Sequence, residues 1–349
     1  MTDHSRYVVG CDEEAVDSVK SCGHCIKEIH LDGSEDTCDC ILAMEMPDDE
    51  VDNLSERSDV RFVEEDVKLQ AHSRSHDAPA TTWGTERIGA EIAREQGYTG
   101  DGSSVAVIDS GIDTSHEAFI GDVFGEAFTP IPCDRDECDT LHDDILPHGT
   151  PVAGVVHQVA PDATIHPVRV LDDDGAYASD VVESLEWCVN MDIEVANISL
   201  GYWAALDVFT EGCQYAYDNG LLMAASSGNL GPCSEPCVEL PANRETVIAV
   251  SATEVNDNVT RWSSTGDKIE LTAPGEDIMA PVPGDNYRSY GGTSFSAPHV
   301  SGALAIVRAA GYSQETAREL LRRRAVDIDE PQTHQGYGRL DLRRVCCND

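Results

Sequence analysis

Three short segments each set a chemically competent side chain beside small or glycine residues. VAVIDSGID places Asp109 just past a run of strand-forming apolar residues. PHGTPVAGVV places His148 at the start of a small-residue helix, and GGTSFSAPHVSGALAIV places Ser294 in the first turn of a long apolar helix. A carboxylate, an imidazole and a hydroxyl are together the parts of nucleophilic acyl transfer, in which the base activates the hydroxyl and the acid orients the base. The helix start adds unpaired backbone N–H groups that stabilise a developing oxyanion. Taken singly, each residue has an ordinary structural explanation, as a turn cap, a core histidine or a helix cap. Their combination, each in its glycine-rich context, favours the chemical reading.

The elements that must position these groups follow from the apolar pattern. From Trp83 onward, short apolar strands (SVAVIDS, IHPVRVL, VANISL, LLMAAS, TVIAVSA) alternate with helices at TSHEAF, HGTPVAGVV, SDVVESLEWCVNM and SFSAPHVSGALAIVRAA. Fully apolar strands separated by helices predict an α/β fold with a parallel sheet covered on both faces. Ligands of such sheets bind beyond the carboxyl ends of the strands. Ahead of this lies a small α+β unit from Arg6 to about Lys68. RYVVG, IKEIHL, CDCILAMEM and VRFVEEDVKL read as its strands, DEEAVDSVKSC and PDDEVDNLSERS as its helices. The polar, aperiodic stretch from Gln70 to Thr82 reads as a linker.

The segments Asp109-Ser110-Gly111-Ile112, His148-Gly149-Thr150 and Gly292-Thr293-Ser294-Phe295-Ser296-Ala297-Pro298-His299 resemble those of the subtilisin-like serine proteases. The chain order Asp…His…Ser is also that of this family, whereas an α/β-hydrolase esterase runs Ser…Asp…His. The similarity extends over residues 83–349 and ends in GYGRLDLRRV. It implies a serine endopeptidase acting on polypeptides, with Asp109, His148 and Ser294 as triad. Asn229, in AASSGNLG, matches the family's oxyanion-hole asparagine, although asparagine beside glycine is also a common turn residue. Ser199-Leu200-Gly201 matches the family's substrate-pairing strand. Glu239, in Glu239-Leu240-Pro241-Ala242, falls at the base of the pocket for the side chain before the cut, where relatives carry a small residue. It reads either as a carboxylate selecting Lys or Arg or as a solvated loop acid. The N-terminal unit resembles the family's inhibitor-like, ferredoxin-like propeptide. The implied division is a propeptide with processing linker over residues 1–74 and a peptidase over residues 75–349. Self-processing is expected near His72–Ser73, or at Arg74–Ser75 if the pocket prefers basic residues. The competing functions, a catalytically silent binding protein and a small-molecule esterase, fit less well with four intact site residues and an attached propeptide.

Two departures stand out. Pro151 follows HGT where relatives carry histidine, a position where a first-turn proline loses no hydrogen bond. HGTPVAGVVHQV runs directly into APDATIHPVRVL, without the longer loop that binds structural calcium in relatives, so no cofactor is required and calcium is left open. The acidic loop Asp134 to Asp139, with Asp143 and Asp144, lacks the order of a defined calcium loop and reads as solvated acid.

Across 349 residues, 65 acids against 23 bases give a formal net charge of −42. Such a charge repels itself in dilute buffer and suggests adaptation to concentrated salt, where the Debye length falls to about 3 Å at about 1 M. It also disfavours nucleic acid and anionic membrane as partners. A monomer that binds polypeptide substrates and its own propeptide is expected. Met1 to Gly10 shows no signal-peptide pattern, which slightly favours a cytoplasmic protein, while the 13 cysteines favour an oxidising compartment with secretion as the alternative. Cys133/Cys138 and Cys233/Cys237 read as loop disulfides in an oxidising setting. Cys22, Cys25, Cys38 and Cys40 could form a four-thiolate zinc site, disulfides or free thiols.

Overall fold

Apolar residues alternate along the N-terminal strands, and the alternation divides them between two cores. The computed structural model describes residues 4–32, 38–71, 74–76, 83–119, 121, 123–131, 143–233 and 237–346. Strands β1 (His4–Asp12), β2 (His24–Asp32), β3 (Cys38–Pro47) and β4 (Val60–Glu65) form an antiparallel sheet in the order β2-β3-β1-β4. Helix α1 (Val16–Lys20) lies between β1 and β2, and α2 (Asp48–Ser55) between β3 and β4. Because side chains alternate across a strand, Val9, Cys11, Cys40, Leu42 and Met44 share one face with Val19 and Leu54 of the helices. Val8, Ile29, Leu31, Ile41, Ala43 and Phe62 take the other face.

Past β4 the chain adds β5 (Lys68–Ala71) and β6 (Arg74–His76), then α3 (Trp83–Ile88), α4 (Ala90–Glu95), β7 (Ser104–Asp109), α5 (Gly149–Val159) and β8 (Thr164–Arg169). Next come β9 (Ala176–Tyr177), α6 (Ala178–Asn190), β10 (Val195–Ile198), β11 (Leu200–Gly201), α7 (Asp207–Asp218) and β12 (Leu222–Ser226). Then follow β13 (Val247–Thr253), β14 (Ile269–Pro274), the hairpin of β15 (Ile278–Val282) and β16 (Asn286–Gly291), α8 (Thr293–Ala309) and α9 (Gln314–Arg324). Six parallel strands form the central sheet, ordered β14-β13-β12-β10-β7-β8. Its strands are buried except at the ends of β7 and β8, as expected for a sheet covered on both faces, with α5 and α8 in one core and α6 and α7 in the other.

The second core continues into the N-terminal sheet, where Phe62, Ile29 and Leu31 join Val181, Val182, Leu185 and Phe209 of α6 and α7. Carboxylates complete this junction. A helix start leaves backbone N–H groups without intrahelical partners and carries partial positive charge. Glu64 accepts from the N–H of Asp207 (2.8 Å) and of Val208 (3.1 Å) at the start of α7. Asp66 accepts from the N–H (3.0 Å) and the hydroxyl (2.7 Å) of Ser179 at the start of α6, and from Arg6 Nε (2.7 Å). Lys27 Nζ lies 2.7 Å from both Asp180 and Glu183 on α6.

The structure departs from the sequence reading in three places. Thr114 to Phe119 forms successive turns, not a helix, because Asp113 Oδ1 accepts from the N–H and hydroxyl of Ser115 and offers the backbone a competing local bond. VRFVEEDVKL is two strands, broken where Asp66 turns toward α6. The stretch read as a linker contributes Gln70 and Ala71 to β5 and Arg74–His76 to β6, its other residues lying outside those described. No helix among the described residues is long and apolar enough to cross a membrane.

Candidate active site

Asp109 ends β7, which lies between β8 and β10, so the surrounding sheet fixes its backbone. Its Oδ1 accepts from Ser110 N–H and faces His148 Nδ1, each at 2.8 Å. His148 stands immediately before α5 and is itself buried. Gly149 makes the approach of these two segments possible, since a Cβ there would lie 2.0 Å from the Gly111 carbonyl oxygen.

Asp144 organises the start of α5. Its Oδ2 accepts from Thr150 N–H (2.8 Å), while Oδ1 accepts from Ser110 Oγ (2.7 Å) and, at longer range, from His148 N–H (3.4 Å). Ser110 Oγ accepts in turn from Gly149 N–H (2.9 Å). The acid read as solvated is therefore a cap beneath the histidine. Its loop neighbours Asp134 to Asp139 lie outside the described residues. Burial pushes the His148 pKa down, but the Asp109 and Asp144 carboxylates outweigh it and hold the imidazole above its ordinary value.

Ser294 occupies the first turn of α8. Four residues on, Pro298 has no N–H to give to the Ser294 carbonyl. Ser199 Oγ supplies the missing donor at 2.9 Å, and Ser294 Oγ donates back to the Ser199 carbonyl at 3.1 Å. Asn197 Nδ2 donates to Ser199 Oγ (2.9 Å), and Ser301 Oγ donates to Asn197 Oδ1 (3.0 Å), tying the serine helix to β10. In this state Ser294 Oγ is turned toward Ser199, and His148 Nε2 has no hydrogen-bond partner among the described residues. The imidazole packs edge-on to Phe295 with ring centroids 5.9 Å apart.

Asn229 follows β12. Its Oδ1 accepts from the N–H (3.1 Å) and hydroxyl (3.0 Å) of Thr293, the residue before the serine. With the oxygen so held, Nδ2 is the donor that the amide presents on its other side. Glu239 is only 4% exposed, which removes the solvated-loop reading. It packs under Gly228, whose φ of +104° and close approach to the Glu239 carboxyl (2.8 Å from a hypothetical Cβ) both demand glycine.

Ser199, Leu200 and Gly201 form the edge expected to receive an extended peptide, and the chain's own β5 lies on it. Leu200 pairs with Ala71 and Gly201 with Gln70, while Leu69, fully buried, pairs with Ala176 on the other side. Beyond the site, Arg74 of β6 pairs with Gly291 of β16.

Cys233 and Cys237 are bridged, the alternative expected for an oxidising setting; Cys133 and Cys138 lie outside the described residues. The four-thiolate zinc set does not assemble. Cys25 pairs with Met44 and Cys40 with His30, a separation of about 13 Å along β3 at about 3.3 Å per residue. Cys22, Cys25 and Cys40 are unbridged thiols. Sequence reasoning did not single out Asp144, Ser110, Thr293 or Asn197 as parts of the site. The first sits four residues before His148, and the next two lie inside the motifs that carry Asp109 and Ser294.

Comparison with known proteins identifies the family of the chain. The model of the subtilase family matches residues 100–338. An alkaline protease of Alkalihalobacillus alcalophilus is 34% identical over 279 residues, covering 77% of this chain and 69% of that protein. Subtilisin E of Bacillus subtilis is 34% identical over 268 residues, covering 74% and 67%. The crystal structure of a lanthipeptide protease superposes with a TM-score of 0.69 at 26% identity, over 76% of this chain and 93% of that one. The chain belongs to the subtilase family and is a serine endopeptidase.

Proposed function

We propose that Ser294, His148 and Asp109 carry out peptide-bond hydrolysis through an acyl-enzyme, and that the protein is made as a proenzyme that cuts its own chain. The buried His148–Asp109 hydrogen bond is the observation that carries the first part. It holds Nδ1 as donor and leaves the Nε2 lone pair for the serine proton. Rotation of Ser294 about its Cα–Cβ bond takes Oγ from the Ser199 carbonyl to His148 Nε2. Asn229 Nδ2 and the Ser294 N–H then receive the oxyanion. Glu239, a buried carboxylate at the pocket base, selects Arg or Lys before the cut.

The strand register supports self-processing. β5 ends at Ala71 opposite Leu200, and β6 begins at Arg74 opposite Gly291, on either side of the nucleophile. Ser199, next to Leu200 along this edge, has the carbonyl that accepts from Ser294 Oγ. Although a pocket that selects Arg or Lys would by itself favour Arg74–Ser75, the register presents His72–Ser73 in this intramolecular cut, since Arg74 already belongs to the strand on the Gly291 side. Residues 1–74 serve as intramolecular inhibitor and linker, and residues 75–349 as the monomeric peptidase. The net charge of −42 makes the fold salt-adapted.

Steady-state kinetics on peptides differing only in the residue before the cut test the site assignments. Asn229→Ala lowers kcat by about 10²–10³-fold with little change in KM, the scale on which loss of one oxyanion donor acts. Glu239→Gln removes a preference for Arg over Phe and Leu; equal rates on all three peptides in the unaltered enzyme would refute the pocket assignment. The pH profile tests the electrostatics. His148 must be neutral to accept the serine proton, and its pKa is raised by the Asp109 and Asp144 carboxylates, so the acid limb of kcat/KM lies above the ordinary histidine range. Asp144→Asn removes one of the charges that sustain the imidazolium and moves that limb to lower pH; a limb that stays in place contradicts the account. Salt adaptation predicts that the thermal midpoint rises steadily with potassium chloride up to molar concentration, and a midpoint indifferent to salt would exclude it.

A further inference from the structure

The outer face of the N-terminal sheet brings together three side chains of different donor type. Glu28 and His30 are two apart on β2 and so project to the same side, and His30 lies directly opposite Cys40 on β3. This is the face away from α6 and α7, because Ile29 and Leu31 of the same strand point to the peptidase core while Cys40 belongs to the outer cluster. One ligand-type atom from each of Glu28, His30 and Cys40 lies within 4.8 Å of the others.

We infer that Glu28, His30 and Cys40 form a binding site for a zinc-type divalent cation. The geometry fits the ion. His30 Nε2 and Glu28 Oε1 are 3.4 Å apart, and two ligands on a tetrahedral centre with bonds of about 2.0–2.1 Å sit about 3.3 Å apart. The second carboxylate oxygen, Oε2, is engaged by Lys20 Nζ, which leaves Oε1 as the ligand atom. The donor set also discriminates. Thiolate, imidazole and carboxylate together suit zinc, whereas calcium and magnesium take oxygen ligands. Access is open on one side only, since the His30 and Glu28 side chains are 44% and 30% exposed and Cys40 is fully buried. The exposed side admits the ion and a water as fourth ligand. On binding, the Cys40 S–H bond breaks, sulfur keeps the electron pair as the metal bond forms, and one proton leaves to solvent. Ligands from two strands tie β2 to β3, so the ion stabilises the sheet whose other face packs on the peptidase.

Cobalt(II) is the probe, because a thiolate–cobalt bond gives a near-ultraviolet charge-transfer band that carboxylates alone cannot. The full-length Ser294→Ala chain, reduced and in high salt, is titrated with Co²⁺ and back-titrated with Zn²⁺. The inference predicts one equivalent of Co²⁺ with the charge-transfer band, displaced by Zn²⁺. The band is lost in Cys40→Ser. His30→Ala, a change at a partly exposed side chain that leaves the core intact, keeps the thiolate but binds at least about tenfold more weakly. Absence of the band, an undiminished band in Cys40→Ser, or unchanged affinity in His30→Ala would each overturn the assignment.

Discussion

The 2.8 Å hydrogen bond between His148 Nδ1 and Asp109 Oδ1 crosses from the end of a central strand to the start of α5, and both side chains are buried. A carboxylate in that setting is costly unless it is paired and hydrogen-bonded. The imidazole and the Ser110 N–H provide the pairing. The bond therefore links two requirements, because the contact that makes Asp109 tolerable in the core also fixes the orientation of His148. Gly149 lets the two segments meet, and Asp144 keeps the second one in place.

Helix starts supply a second theme. Three helices have their first N–H groups met by carboxylates: α5 by Asp144, α6 by Asp66 and α7 by Glu64. Glu64 lies on β4 of the N-terminal sheet and Asp66 directly follows that strand, so the caps that complete α6 and α7 are also the polar part of the junction between the sheets. The start of α8 differs. There the substitute partners of the backbone are Asn229, which takes the Thr293 N–H, and Ser199, which replaces the bond that Pro298 cannot give. Asn229 is also the proposed oxyanion donor and Ser199 part of the proposed substrate-pairing strand, so on that reading the serine helix is braced by the site's own residues.

The parts of this arrangement visible in the sequence were those with short-range signatures. The motifs around Asp109, His148 and Ser294 pair a reactive residue with glycines whose need is local, and the all-apolar strands announced a parallel sheet. Helix α7 was overlooked because its apolar residues, Val208, Phe209, Cys213 and Ala216, are diluted by acids and tyrosines. β5 and β6 were hidden for another reason. Their pairing partners lie about a hundred residues or more away, and strands of four and three residues are too short to carry an alternating pattern. Asp144 and Asp66 could not be told from the other acids of so acidic a chain, since what separates them is the helix start that each one meets.

The central claim is that the chain threads its own site so that the same serine cuts it. Intact-mass measurement of the unaltered chain and of Ser294→Ala, each refolded in molar potassium chloride, tests this directly. The account predicts that the unaltered chain splits into two fragments, the larger beginning at Ser73, while Ser294→Ala stays whole. Full-length mass for both proteins, or the same cut in Ser294→Ala, would contradict it.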